Sequence, residues 1–509
     1  MTAPHVETRL HPSLADTRRA RGELWLVLTL LTLLYGIVVT IGNRRYVWFD
    51  ELFTFNIAGS ASLQQLWYRE LRFDCNPPTL YLLSRASMAA FGKNPLGLRF
   101  PSMVEFYFGS VAMLLFVRRK AGIAFAALGV LLIWTVAPTL YYAVEARPYA
   151  LVFLAFSCLL LCWDSATRVE PRRWALTGVA IFSTLLLAAH VFAVFTFLAF
   201  LFAEAVRLWR RRRFDTALAA ALLLPMAAML IYLPLMRSCS GIIFPVRASW
   251  NTIILFLEET LGAPIIPIVL LTVLLIPGGK AIRNKQVEFL AEDKALLAGL
   301  FLSPLVLSLF LMIRKATFYS RYCLAAQVAM LLTIAIFLPY RMRLERRAAY
   351  AGSVLLLLFL LKTQVWHAIR YPAPANAAFM ASIHPELPLV VSEGQVFMEM
   401  NQYESTSFLS RLYFLKDPRA SLQYLHTNIF QEFEAPDVMK SSGYPITANI
   451  EPYDDFVHQH HQFLLLGSPL QWVFTKLRLE GASFTVVGDY RGDMPYLDTT
   501  LYLVTVPTP

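Results

Sequence analysis

Asp50 and Glu51 stand side by side just past the first apolar stretch of the chain, in Trp48-Phe49-Asp50-Glu51-Leu52-Phe53-Thr54. Ionisable groups at a membrane face are costly and are functional candidates by default. The plain alternative is a helix start, where acids favour the macrodipole. A second acidic cluster follows in Arg72-Phe73-Asp74-Cys75-Asn76-Pro77-Pro78-Thr79. Its double proline is pre-organised for a first helical turn, which brings Asp74 and Asn76 to the mouth of a short helix. Further on, in Glu145-Ala146-Arg147-Pro148-Tyr149, Arg147 can fork onto a phosphate and Glu145 can hold that fork or touch a sugar. An interfacial ion pair beside a belt tyrosine is the bland reading there. Lys315, Arg321 and Tyr322 belong to a basic run, Arg314 to Tyr322, that suits a lipid phosphate or, equally, anionic headgroups. His190 lies where an apolar block ends and reads more readily as a structural donor than as a catalyst. His458, His460 and His461 read as a solvated loop, because no paired cysteine or spaced acid completes a metal site.

These residues must be positioned by a membrane protein. Of 509 residues, 57% are hydrophobic and 16% charged, with mean hydropathy +0.53. Soluble domains carry about 45–50% apolar and about 25% charged residues. A soluble multidomain enzyme, a disordered chain and a disulfide scaffold are excluded. Cys75, Cys158, Cys162, Cys239 and Cys323 are too scattered for a disulfide framework or a zinc site; only a Cys75–Cys239 bridge on the external face is worth entertaining.

Eleven apolar blocks are long enough to read as spans. They cover residues 24–42, 98–117, 121–140, 149–164, 174–189, 191–208, 215–236, 261–277, 295–313, 322–339 and 348–367. Residues 77–91 are apolar but short, and Ser84, Arg85 and Ser87 interrupt them. The positive-inside rule decides their fate. If they lie on the membrane surface, Arg118-Arg119-Lys120, Arg210 to Arg213, and Arg341, Arg343, Arg346 and Arg347 all fall on one side. The expectation is a cytoplasmic N-terminus (1–23), a membrane domain (24–367) with a large external loop at 44–97, and an external C-terminus. The net charge of +11 divides accordingly into +18 over residues 1–367 and −7 over 368–509, which is topology signal and no nucleic-acid footprint.

Residues 368–509 read as an extracytoplasmic soluble α/β domain entered through Pro372, Pro374, Pro385 and Pro388. Runs at 387–393, 463–467, 484–488 and 501–506 predict strands, and 402–415 and 469–479 predict helices.

Asp-Glu-x-x-Thr at 50–54, the double proline with Thr79-Leu80-Tyr81, and Glu145-Ala-Arg-Pro-Tyr-Ala-Leu together resemble the GT-C superfamily of membrane glycosyltransferases. The resemblance is to the protein-mannosyltransferase and aminoarabinose-transferase-like branch (glycosyltransferase family 39-like). It covers roughly residues 24–340 in pattern. Histidine is usual before the double proline; Asn76 stands here. The resemblance implies a polytopic helical fold and a polyprenyl-phosphate-linked sugar as donor. It also implies transfer to a lipid, glycan or protein hydroxyl on the external face of a bacterial inner membrane. It places the catalytic acid motif on Asp50 and Glu51, with Asp50 as general base or acceptor-orienting group and Asp74 beside it. Arg147, Glu145, Tyr149, Lys315, Arg321, Tyr322, Asn76 and His190 then serve donor phosphate and sugar. Family members differ in their need for a metal, and Asp50, Glu51 and Asp74 are hard oxygen ligands suited to Mg or Mn. The absence of any Asn-x-Ser/Thr sequon fits a bacterial protein. A transporter or lipid flippase is the alternative, but polar groups gather at one face rather than at the midplane.

Overall fold

A computed structural model describes residues 14–45, 47–74, 76–168, 172–238, 247–261, 290–342, 345–370, 382–429, 431, 436–441, 443–490 and 499–507. The apolar block 261–277, the pair Cys75 and Cys239, and Pro372 and Pro374 lie outside the described residues.

The N-terminal two thirds are helical: α1 (Leu14–Gly42), α2 (Phe49–Ala58), α3 (Leu63–Phe73), α4 (Thr79–Phe91), α5 (Pro95–Ala121), α6 (Ile123–Thr135) and α7 (Ala137–Tyr141). These are followed by α8 (Tyr149–Arg168), α9 (Arg173–Ala189), α10 (Ala193–Arg211), α11 (Thr216–Ala228), α12 (Leu233–Ser238) and α13 (Trp250–Leu261). Then come α14 (Ala291–Arg314), α15 (Leu324–Met342) and α16 (Arg346–Arg370). Ten of the eleven apolar blocks coincide with helices. By length and composition, four stretches among the described residues can cross a bilayer: 20–42, 95–121, 149–168 and 291–314. α6 is apolar on every side and buried throughout, as a helix inside a bundle must be.

At 13 residues, α4 is about 20 Å long and falls short of the roughly 30 Å hydrocarbon core. It is the short helix predicted for 77–91. Gly92, at φ +88°, ends it, and Asn94 then caps α5 by accepting the Gly97 N–H at 2.9 Å. A Cβ at Gly97 would lie 2.1 Å from the Gly92 carbonyl oxygen, so the tight reversal needs glycine there.

One end of the bundle is laced with ion pairs. Lys120 and Arg168 both meet Asp164, at 2.6 and 2.7 Å, and Arg207 meets Glu204 and Asp215, at 2.6 and 2.9 Å. These are basic clusters that the charge bias sets on one side. The helix ends carrying Asp50, Glu145 and Arg321 are at the other.

The C-terminal region forms a six-stranded sheet of β1 (Leu389–Val391), β2 (Leu412–Lys416), β3 (Asn449–Pro452), β4 (Gln462–Gly467), β5 (Ser483–Tyr490) and β6 (Thr499–Thr505), ordered β3-β2-β1-β4-β6-β5. The first four run parallel; β6 is antiparallel to β4 and to β5. The helix expected at 402–415 is reduced to one turn, Thr406–Leu409. α17 (Gly394–Tyr403) ends where it was to begin, and 412–416 is strand β2, pairing with β1. A short apolar run is ambiguous by periodicity, and burial between β1 and β3 decides it. The other runs are strands as expected, and 472–479 is helical.

One face of the sheet, through Leu389, Val391, Leu412, Phe414, Leu464 and Leu466, shares a single apolar core with α2 and α3. Tyr444 closes it edge-on against Phe53 and Phe73, at 6.4 and 5.2 Å. The acidic motif therefore lies between the bundle and the sheet.

Candidate active site

α2 starts where it does because its own third residue caps it: the Glu51 carboxylate accepts the Trp48 N–H at 3.4 Å. Glu51 is fully buried. Arg99, at the start of α5, forks onto it at 2.7 and 2.6 Å, and the Ala146 N–H adds a third contact at 2.8 Å. Burial alone would raise this carboxyl; the Arg99 guanidinium and its hydrogen bonds outweigh that and hold it below its ordinary value.

Asp74 is enclosed in a similar way. Arg147 donates to both its oxygens, at 2.6 and 3.1 Å, Asn76 donates to Oδ1 at 2.8 Å, and the Tyr81 hydroxyl donates to Oδ2. Burial works against the charge here too, and Arg147 wins, so Asp74 also lies below the usual carboxylate range. The fork in Glu145-Ala-Arg-Pro-Tyr thus reaches the Asn76-Pro-Pro cluster.

Asp50 is the open carboxylate of the three. Its side chain is 18% exposed, against 8% for Asp74 and 0% for Glu51. Arg321 Nη1 lies 3.3 Å from its Oδ2, and Arg147 Nε lies 4.0 Å away. Arg321 also sits over the rings of Tyr319 and Tyr149, at 4.5 and 5.5 Å. Tyr149 packs on Tyr142 and on His190, and His190 on Tyr322, with centroids 4.7, 5.7 and 5.3 Å apart. Burial, with Arg147 and Arg321 close by, pushes His190 down to about 3, so its ring is neutral. Its Nδ1 accepts the Phe192 N–H at 3.1 Å, which leaves Nε2 to carry the proton.

Several buried polar atoms around Asp50 have no hydrogen-bond partner among the described residues: Trp48 Nε1, Arg147 Nε, Arg321 Nε and Glu145 Oε1. Three are donors, so the surroundings of Asp50 are provided for an anion. Burial pushes Glu145 up to about 7; Arg321 and Arg45 pull it down, and Glu51 and Asp50 add to the rise.

The structure thus gathers Asp50, Asp74, Asn76, Arg147, Tyr149, His190, Arg321 and Tyr322, with Glu51 and Glu145 buried beside them. Lys315, in left-handed conformation at the end of α14, is exposed. His458, His460 and His461 are far along the chain at the end of a short helix, where the His460 ring lies tilted against Phe456. Among the described residues no three His, Cys, Asp or Glu side chains are grouped to hold a metal. Glu51 and Asp74 direct their oxygens to arginines, so the three carboxylates do not fit a shared cation. A cavity of about 50 Å³ lined by Phe116, Phe156, Trp163, Leu300 and Leu332 lies elsewhere in the bundle, towards Lys120 and Asp164. Arg99, Glu399 and Tyr403 are site-supporting residues that the motifs did not disclose; Tyr81 belongs to the double-proline motif but is given no role there.

The chain is similar in fold to ArnT from Cupriavidus metallidurans. Crystal structures of that protein, in the apo state and bound to undecaprenyl phosphate, match with TM-scores of 0.54 and 0.52. Identity is 13%, over 95% of this chain and 98% of theirs. No protein-family model matches the sequence, and no curated protein matches it.

Proposed function

We propose that this protein is a bacterial inner-membrane glycosyltransferase that moves a sugar from a polyprenyl-phosphate donor to a hydroxyl acceptor on the external face. The observation that carries the reading is the convergence of Arg147 and Arg321 on the open carboxylate Asp50, each with a buried Nε–H that lacks a hydrogen-bond acceptor among the described residues. A phosphate leaving group meets that need, and the undecaprenyl phosphate bound to the similar ArnT structure is of that chemistry.

The donor is already activated, so the protein has little covalent work to do. Asp50 aligns the acceptor hydroxyl and takes its proton as the oxygen attacks the anomeric carbon. The bond from that carbon to the phosphate oxygen breaks, and its electron pair leaves with polyprenyl phosphate. Arg147 and Arg321 neutralise the charge that develops there. A single displacement inverts the anomeric centre. Asp74, Asn76 and Tyr81 fix the Arg147 fork; Tyr149, His190 and Tyr322 supply an aromatic wall suited to a sugar face. Glu51 holds α2 through Arg99 and takes no part in the chemistry. No step is assigned to a metal. The external side is the one opposite the basic ion-paired ends, by the positive-inside rule.

The test is release of polyprenyl phosphate by purified protein in lipid nanodiscs, across a panel of polyprenyl-phosphate sugars with a membrane extract as acceptor. One donor should be turned over. No release with any donor, from folded protein, would reject the reading.

A further inference from the structure

The C-terminal sheet region touches α2 at the residues just before Asp50. The Val47 N–H donates to the Tyr403 hydroxyl at 2.7 Å, and the Phe49 N–H donates to Glu399 Oε1 at 3.2 Å. Between them, the Trp48 N–H goes to Glu51. Three successive amides at a helix start, where no intrahelical partner exists, are each given a side-chain acceptor. Two of the acceptors, Glu399 and Tyr403, lie one turn apart on α17, so they form one face of one helix. Arg69 on α3 extends the contact, donating to the Gly443 carbonyl at 2.8 Å. On its other side α2 is held by the membrane bundle: Arg99 binds Glu51, and the Thr54 hydroxyl donates to the Ala146 carbonyl at 2.7 Å.

We infer that the C-terminal α/β region is an aligning element of the active site. Glu399 and Tyr403 act as positioning residues that fix residues 47–49 and so set the distance of Asp50 from Arg321 and Arg147. The inference rests on the transferase reading for its catalytic consequence. Its physical basis is that a carboxylate at the first turn of a ten-residue helix moves whenever that turn frays, and small displacements of a reacting group are expensive in rate.

The test compares Tyr403→Phe, Glu399→Ala and Glu399→Gln in the full-length protein in nanodiscs. Two readouts are taken, amide hydrogen exchange over residues 47–52 and steady-state release of polyprenyl phosphate. Tyr403→Phe and Glu399→Ala should speed exchange in that segment while leaving the bundle helices protected. They should lower kcat by about tenfold or more with donor KM little changed. Glu399→Gln keeps a carbonyl acceptor and should recover most of both losses. Unchanged exchange in Tyr403→Phe and Glu399→Ala would overturn the anchoring. Faster exchange with undiminished kcat would overturn the claim that the anchor sets Asp50. Tyr403→Phe removes one oxygen and keeps the ring, so it answers the question if Glu399→Ala does not fold. Failure of the transferase reading shows separately, as no turnover by wild type, and exchange then still decides the anchoring.

Discussion

Arg147 forks onto Asp74 at 2.6 and 3.1 Å while its Nε, with no hydrogen-bond acceptor among the described residues, stands 4.0 Å from Asp50. One guanidinium thus has two carboxylate neighbours in different roles: Asp74 immobilises it, and Asp50 shares its open side. The two acids differ in exposure, 18% for Asp50 against 8% for Asp74, and in the proposed mechanism the more open one meets the acceptor.

Exchanging Arg147 for lysine should expose that division. A lysine ammonium cannot fork, so it loses the fixed geometry on Asp74 and the free Nε donor together. Donor KM should rise by roughly tenfold, the worth of one charge-assisted hydrogen bond. Initial rates measured across donor concentrations check this.

Glu51 should behave as a stability residue. Glu51→Gln leaves the Arg99 guanidinium buried without its counter-charge, which costs about 3–5 kcal/mol. Replacing both partners, Glu51→Leu with Arg99→Met, should recover part of that loss, because the buried charge is then gone. Thermal unfolding of the three forms in nanodiscs measures it.

Glu145 makes stability depend on pH. Its carboxyl is raised from 4.5 to about 7, so between those values the native state binds a proton that the unfolded chain does not. Stability from this group is complete below about pH 4.5 and falls as pH rises towards 7. Arg321 and Arg45 oppose the shift, and Asp50 and Glu51 add to it. Glu145→Gln removes the titration. Its melting temperature should therefore gain on that of wild type as pH rises through this window, and a pH series of melts reads the difference.

Much of the site was legible because charge is scarce in so apolar a chain. Asp50, Asp74, Arg147 and Arg321 stood out as polar groups between apolar blocks, and the span count with the positive-inside rule put them on one face. What supports them was not legible. Arg99 opens an apolar block and reads as an ordinary flanking cation; its partner Glu51 is 48 residues away. Glu399 and Tyr403 meet α2 across 350 and 356 residues, and nothing local marks either as a backbone acceptor. The same limit misplaced the helix at 402–415: Leu412 to Lys416 is a strand only because β1 and β3 flank it. The helix at 77–91 was readable from its apolar run after the double proline, and α4 (Thr79–Phe91) is that helix.

The central claim is that Asp50 performs or aligns the deprotonation of the acceptor. The direct measurement is polyprenyl phosphate release by wild type and Asp50→Asn in nanodiscs, with the donor that wild type accepts, alongside thermal unfolding of both. The asparagine keeps the shape and removes the base. The account predicts a loss of about 100-fold or more in release at an unchanged melting temperature. Equal release by the two proteins would contradict it.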